Sequence, residues 1–293
     1  MNYAGPIAVA EFRIGPAWRF GISSTWENAG LALQMSWPWL VILTTLELAA
    51  RLPPGFRLAL LFQPGAGMAD PVLAGLLMVL KLIALSSLAV SWSRFLLLGE
   101  VATGWDRLRV DRPVWRFACN ALLIWFACSG VFLLGSLISF VALPLAAQFA
   151  GYALPDFPRA LPGVGAWLRD PWMFIIAASL LIGLLAGLPV VQRLSIKLIA
   201  IALGREDYGL GDAWRDSGGQ PFRLISFTFA VTALVFLIWA VALVLSLQLA
   251  GSGAPGVLAS AVATATASGL ATILATASVA VLFGLFVEGR EVS

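Results

Sequence analysis

The sequence predicts an all-α polytopic membrane protein: six transmembrane helices, two similar helical hairpins of parallel orientation, and interfacial helices on the cytoplasmic side. Three observations carry this. Of 293 residues, 60% are hydrophobic and only 11% are charged. The mean hydropathy is +0.94. Apolar runs of about 20 residues recur along the chain, each long enough to cross a hydrocarbon core of roughly 30 Å at about 1.5 Å per residue. The organisation expected is a cytoplasmic or interfacial segment over residues 1–29 and a transmembrane domain over 30–293.

The apolar patch before Glu11 is too short and interrupted for a signal peptide, so the start is expected to be retained. Residues 11–28, with Arg13, Trp18, Arg19, Trp26 and Glu27, read as a segment resting at a membrane surface. The spans follow at about 30–50, 71–93, 117–143, 172–192, 222–248 and 256–287. Pro53, Pro54, Gly55 and Pro64 mark the first break, and Pro155, Pro158 and Pro162 the third. Spans 2 and 4 open with Asp70-Pro71 and Asp170-Pro171, where a carboxylate can cap free N–H groups and proline suits the first turn. Cys119 and Cys128 are nine residues apart in span 3, hence on roughly opposite faces. They read as small buried apolar side chains, without a mutual disulfide.

Orientation follows from the basic residues of the loops. One side collects Arg13, Arg19, Arg94, Arg107, Arg109, Arg112, Arg116, Arg193, Lys197, Arg205, Arg215, Arg223 and Arg290; the other holds Arg51, Arg57, Arg159 and Arg169. The contrast of 13 against 4 predicts both termini in the cytoplasm of a bacterium, with the chain in its inner membrane. The net charge of +3 records this orientation and predicts membrane lipids, not nucleic acid, as its partner.

Two loops share a pattern. Residues 94–117 run arginine, apolar residues, Gly99-Glu100, Trp105, Pro113 and an aromatic. Residues 193–224 run Arg193, apolar residues, Gly204, Trp214-Arg215, Pro221 and Arg223. The Asp-Pro pairs begin 24 and 23 residues before Arg94 and Arg193, so spans 2 and 3 pair with spans 4 and 5 as similar hairpins about 100 residues apart. Each even-numbered span is expected to continue past its arginine as an amphipathic extension, with Arg193 and Lys197 on one face. Gly204 should end that helix, and Asp212 should cap a short one carrying Trp214 at head-group depth. Arg94, Glu100, Arg193, Lys197, Trp214 and Arg215 are the cytoplasmic-interface candidates; Arg205, Glu206, Asp207, Asp212, Arg215 and Asp216 form a mixed-charge loop, solvated first and a docking surface second.

Arg-Phe-Leu-Leu-Leu-Gly-Glu at residues 94–100, with Arg-Leu-Ser at 193–195, Gly204-Arg205 and Ala213-Trp214-Arg215, resembles uncharacterised six-helix membrane proteins of alphaproteobacteria. These are distantly similar to the membrane-anchoring domain of glycerophosphodiester phosphodiesterases. The likeness covers most of the chain and implies architecture. With no catalytic phosphodiesterase domain expected here, it lends no active site.

Catalysis has little to work with. There is no histidine, which removes the commonest general base and metal ligand; no cofactor, metal or enzymatic activity is expected. Ionisable groups inside a bilayer are functional candidates by default, and here they are Lys81 and Glu47. An antiparallel hairpin could let Lys81 reach toward Glu47, but the offset of several residues favours a snorkelling Lys81, with Arg51 available to Glu47 one turn away. In span 6, Ser260, Thr264, Ser268, Thr272 and Thr276 recur every four residues among small residues, a ridge suited to close helix packing. An internal contact with span 1 or a hairpin is expected first, a subunit interface second, a polar cavity lining third. The reading is a noncatalytic inner-membrane protein, acting as an accessory, assembly or scaffolding subunit beside other membrane subunits or as a lipid-associated organiser. A small permease or lipid transporter is the alternative.

Overall fold

The structure is a computed structural model that describes residues 14–51, 69–151, 171–205, 207–218, 221–249 and 252–289. Among the described residues all regular structure is helical: α1 (Ile14–Glu27), α2 (Ala29–Arg51), α3 (Ala69–Leu98), a 3-10 turn (Gly104–Leu108), α4 (Arg112–Phe149), α5 (Pro171–Ala202), α6 (Leu210–Asp216), α7 (Pro221–Leu249) and α8 (Gly253–Phe286). Six of these, α2, α3, α4, α5, α7 and α8, are long and apolar enough to cross a membrane, the build of a multi-pass membrane protein.

Each expected span exists; α3 and α5 continue past Arg94 and Arg193 as expected, and α4 runs beyond its expected span at both ends. α3 reaches Leu98, α4 begins at Arg112 and extends to Phe149, and α5 reaches Ala202. An arginine does not end a helix, because its aliphatic stem can lie along the apolar surface while the head reaches a polar partner. Backbone geometry does. Gly99 (φ 70°) and Gly204 (φ 77°) take the left-handed conformation that a Cβ would strain. After α3 the Gly99 N–H donates to the Phe95 carbonyl at 2.9 Å. After α5 the Gly204 and Arg205 N–H groups reach Ile201 O at 3.0 Å and Ala200 O at 2.9 Å, the two bonds of a Schellman end.

The Asp-Pro starts fare unequally. α5 begins at Pro171, directly after Asp170, which lies outside the described residues, as do the proline-marked breaks over 52–68 and 152–170. α3 begins at Ala69, so Asp70 is already helical and does not stand ahead of the helix as its cap. At the N-terminus, the expected surface segment forms α1, which turns at Asn28 into α2; the Asn28 amide donates to Ser24 O at 2.8 Å. α1 packs against α2, α7 and α8.

The chain divides into two compact units, Met1–Ala121 with Ser195–Ser293, and Leu122–Leu194. In the first, α8 is the enclosed helix, packed on α7, α2, α3 and α1. Trp92 of α3, Leu43 of α2, Phe227 of α7 and Phe283 and Leu282 of α8 are fully buried. Lipid tails are as apolar as these side chains, so the association rests on close packing. Small residues permit it: a Cβ on Gly269 would stand 2.8 Å from Leu40 Cδ2. The 3-10 turn joins this core, since the Trp39 indole N–H donates to Arg107 O at 2.7 Å and Leu108 packs beside Trp39 and Leu43.

In the second unit, α4 and α5 meet glycine to glycine. A Cβ on Gly135 would lie 3.3 Å from Gly183 Cα, and one on Gly183 would lie 2.6 Å from Phe132 O and collide with Ser136 Oγ. Phe140 and Trp172 bring their rings to 6.3 Å. Cys128 is buried as expected, but Cys119 is exposed, and both are free.

Candidate functional site

Glu47 and Arg51, in the last turn of α2, meet Lys81 of α3 and the first hydroxyls of the α8 row. Glu47 is 7% exposed. Its carboxylate pairs with the Lys81 ammonium of α3, whose side chain stays 35% exposed. The expected snorkelling of Lys81 therefore gives way to an ion pair. The reason is physical: side chains on a helix lean toward its N-terminus, which carries Lys81 back over the turn facing α2, and an unpaired Glu47 carboxylate buried there would cost several kcal/mol.

Arg51 does not partner Glu47 either. Its guanidinium donates to the hydroxyls of Ser260 and Thr264 on α8, the second at 2.6 Å. Ser246 of α7 lies 3.5 Å from the same Thr264 hydroxyl. The top of the span 6 hydroxyl row is thus the seat of a charged side chain from span 1. Lower in the row, Ser268 and Thr272 donate to the carbonyls four residues back at 2.9 and 2.8 Å. Ser260, Ser268 and Thr276 are buried, and Thr264 and Thr272 half-buried. The row lies inside the protein.

Beside the ion pair an open cleft of about 320 Å³ separates α2 from the first turns of α3. Leu46 and Ala50 form one wall, Leu73, Leu77 and Met78 the other, and among the described residues Lys81 is its one charged lining residue.

The interface candidates sit at the opposite ends of α3 and α5. Arg94 binds Glu100 at 2.7 and 3.1 Å and also donates to Ala202 O at 3.3 Å, covering a terminal carbonyl of α5. That hydrogen bond from Arg94 holds the Glu100 carboxyl below the usual carboxylate range. Arg193 and Lys197 are half-buried on α5. The two arginines that pair in the sequence repeat are not equivalent at the helix ends: Arg94 lies five residues before Gly99, and Ile199 occupies that position before Gly204. Trp214 is exposed on α6, and Arg215 pairs with Asp212 at 2.6 Å on the surface. Asp212 is third in α6 and reaches back to accept the Gly209 N–H at 2.8 Å, so it serves the helix start from inside the first turn.

Sequence reasoning missed one group here. Arg205 pairs with Glu288 at 2.6 Å, beyond the end of α8, and stands over the Phe283 ring at 5.1 Å. Tyr208 stacks edge-on against the same ring at 6.2 Å and donates to Asp216 at 3.0 Å. Burial, reinforced by the Asp216 charge, pushes the Tyr208 phenol well above its ordinary range. Nothing local joins residues 205 and 288, so only the tertiary fold reveals them. Among the described residues, no three His, Cys, Asp or Glu side chains gather to hold a metal. Comparison with protein-family models, curated proteins and solved structures finds no match to this chain.

Proposed function

We propose that the chain is a noncatalytic protein of the bacterial inner membrane that works by binding, as an accessory, assembly or scaffolding subunit among other membrane proteins or as a lipid-associated organiser. The observation that carries this is the use made of the intramembrane polar groups. Arg51 clamps α2 to Ser260 and Thr264, and Glu47 ties α2 to Lys81 on α3, so these side chains join helices to one another. A rigid core with an apolar exterior suits a protein that presents helix surfaces to neighbours.

In this reading both termini are cytoplasmic. Spans 2 and 3 and spans 4 and 5 are hairpins of like orientation, and the 3-10 turn and α6, with exposed Trp105 and Trp214, lie at the inner interface. The similar left-handed glycine ends of α3 and α5 support the repeat. A cysteine at Gly209 should label only after the inner membrane is permeabilised, and one at Gly163 from the periplasm; the reverse would refute the orientation. For the role itself, the test is gentle purification in nanodiscs with mass spectrometry of retained proteins. A stoichiometric protein partner supports a subunit. A chain that stays alone while releasing a transported solute supports the rival, a small permease or lipid transporter, which the cleft beside Lys81 favours.

A further inference from the structure

Three exposed tryptophans, each from a different element of the first unit, stand at close to one depth. The register is set at Gly269 of α8, where a Cβ would lie 2.8 Å from Leu40 of α2 and 3.9 Å from Leu88 of α3, so these three residues share a level. Trp37 is one turn from Leu40 toward the start of α2, and it is exposed. Trp39, beside Leu40, donates its indole N–H to Arg107 O at 2.7 Å, which holds the 3-10 turn and its 87% exposed Trp105 against the flank of α2. Trp115 is exposed on the first turn of α4, where Val114 and Phe117 pack on Ala89 and Val90, just past Leu88.

That level divides the unit by length and by charge. At about 1.5 Å per residue, α8 runs about 24 Å from Gly253 to Gly269 and α3 about 28 Å from Ala69 to Leu88, close to the roughly 30 Å of a hydrocarbon core. Past the level, α3 continues for about 15 Å to Leu98 and α8 for about 25 Å to Phe286. The pairs Arg94–Glu100 and Arg205–Glu288 lie on this further side, around a core that includes Leu224, Phe227, Leu282 and Phe283. The 3-10 turn also limits how far hydrocarbon can reach, because irregular backbone with an exposed Asp106 would be left unsatisfied against lipid tails.

We infer that Trp37, Trp105 and Trp115 are the belt by which the chain grips the phospholipid head-group layer, and that the helix ends past them form a head reaching through that layer. An indole suits this depth, since its ring is apolar and its N–H can donate to ester and phosphate oxygens. The side chains run in the order the layer requires: the exposed Arg112 is one turn on the water side of Trp115, where it meets lipid phosphate. This deepens the interfacial placement of the 3-10 turn proposed above and rests on the chain being embedded in a bilayer; which side is cytoplasmic plays no part in it.

The test is depth-resolved spin labelling of the full chain in nanodiscs of phosphatidylglycerol and phosphatidylcholine. In a Cys119→Ser/Cys128→Ala background, nitroxides are attached one at a time at Trp37→Cys, Trp105→Cys, Trp115→Cys, Leu237→Cys and Leu98→Cys, all exposed positions. Accessibility to oxygen is then compared with accessibility to a water-soluble nickel chelate. Leu237, midway along α7, should report hydrocarbon, Leu98 should report water, and the three tryptophan positions should report the boundary between them. A label at Trp105 as deep as the one at Leu237 would overturn the inference, as would tryptophan positions scattered from hydrocarbon to water or a Leu98 label in hydrocarbon. Depth reads the same from either face of the bilayer, so failure here leaves the sidedness test at Gly209 and Gly163 standing, and a reversed topology there leaves the belt standing.

Discussion

The guanidinium of Arg51 and the hydroxyl of Thr264 lie 2.6 Å apart, joining the last residue of α2 to a point about three turns into α8 across 213 residues of sequence. A cation at a helix C-terminus is already favoured by the helix dipole. Here it also finds hydroxyls whose neighbours are alanines, so little else nearby could satisfy it.

Removing that cation should loosen the bundle. Hydrogen bonds to charged groups are worth about 1.5–3 kcal/mol, so Arg51→Met should lower stability by that order. A double-mutant cycle with Thr264→Val, read by denaturant titration in detergent, should give a coupling of about 1 kcal/mol or more. Additive losses would mean that the two side chains do not interact in the folded protein.

The Lys81–Glu47 pair reverses what the sequence suggests for Lys81→Met. Instead of being silent, that change leaves the buried Glu47 carboxylate without its cation, and breaking a buried pair costs about 3–5 kcal/mol. Partial exposure of Lys81 should place the loss at the lower end. Glu47→Gln/Lys81→Met should recover most of it, since losing both charges leaves nothing uncompensated. Thermal melts of the four proteins decide the matter: a double variant no better than Lys81→Met would show that the pair is not the source of the loss.

Along α8, size should matter more than polarity. Ser268 is buried, so Ser268→Leu should cost about 1–3 kcal/mol by overpacking, while Ser268→Ala loses a hydroxyl bond already made within the helix. Thr272 is half-buried and should show the same contrast more weakly. Because the row lies inside the first unit, the damage should appear in the detergent stability of the isolated chain. Leucine variants as stable as the wild type would mean that the row does not pack as described.

The spans were legible in the sequence because apolar run length is a local property, and the glycine end at Gly204 was legible from its place after an apolar run, while the matching end at Gly99 was not foreseen. The continuation of α3 and α5 past Arg94 and Arg193 was legible too, whereas the extent of α4, from Arg112 to Phe149, was not, since no local pattern marks its ends. The hydroxyl row was visible as a packing ridge with span 1 or a hairpin as its expected partner; that α2, α3 and α7 all pack on α8 was not, because a ridge does not say how many helices share it. Lys81 and Glu47 were visible singly. Their pairing depends on the stagger of α2 against α3, which no local pattern encodes.

The Tyr208 phenol carries a pH prediction. Its ionisation is disfavoured in the folded state by burial and by Asp216, so the folded value stands above the unfolded value of about 10. The group therefore contributes stability below about pH 10, and that contribution is lost as the pH rises further and the unfolded chain ionises first. Tyr208→Phe should be less stable near neutrality, through loss of the Asp216 hydrogen bond, and should lose less on raising the pH from about 9 to 11. Parallel alkaline stability curves for the two proteins would refute the assignment.

The second unit depends on the approach of α4 and α5 at Gly183. A Cβ there would meet the backbone carbonyl of Phe132 at 2.6 Å as well as the Ser136 hydroxyl, and the carbonyl cannot rotate away as a side chain could. Gly183→Ala should force the helices apart and cost about 1–3 kcal/mol. The control is Gly130→Ala on α4, where a Cβ meets nothing within 4 Å and helix propensity alone should make the change neutral or stabilising by up to about 1 kcal/mol. Both variants add one methyl group to a helical glycine, so any general effect of alanine cancels between them. Equal melting temperatures for the two would mean that α4 and α5 do not meet at Gly183, whereas a loss confined to Gly183→Ala would identify the glycine contact as what holds that pair together.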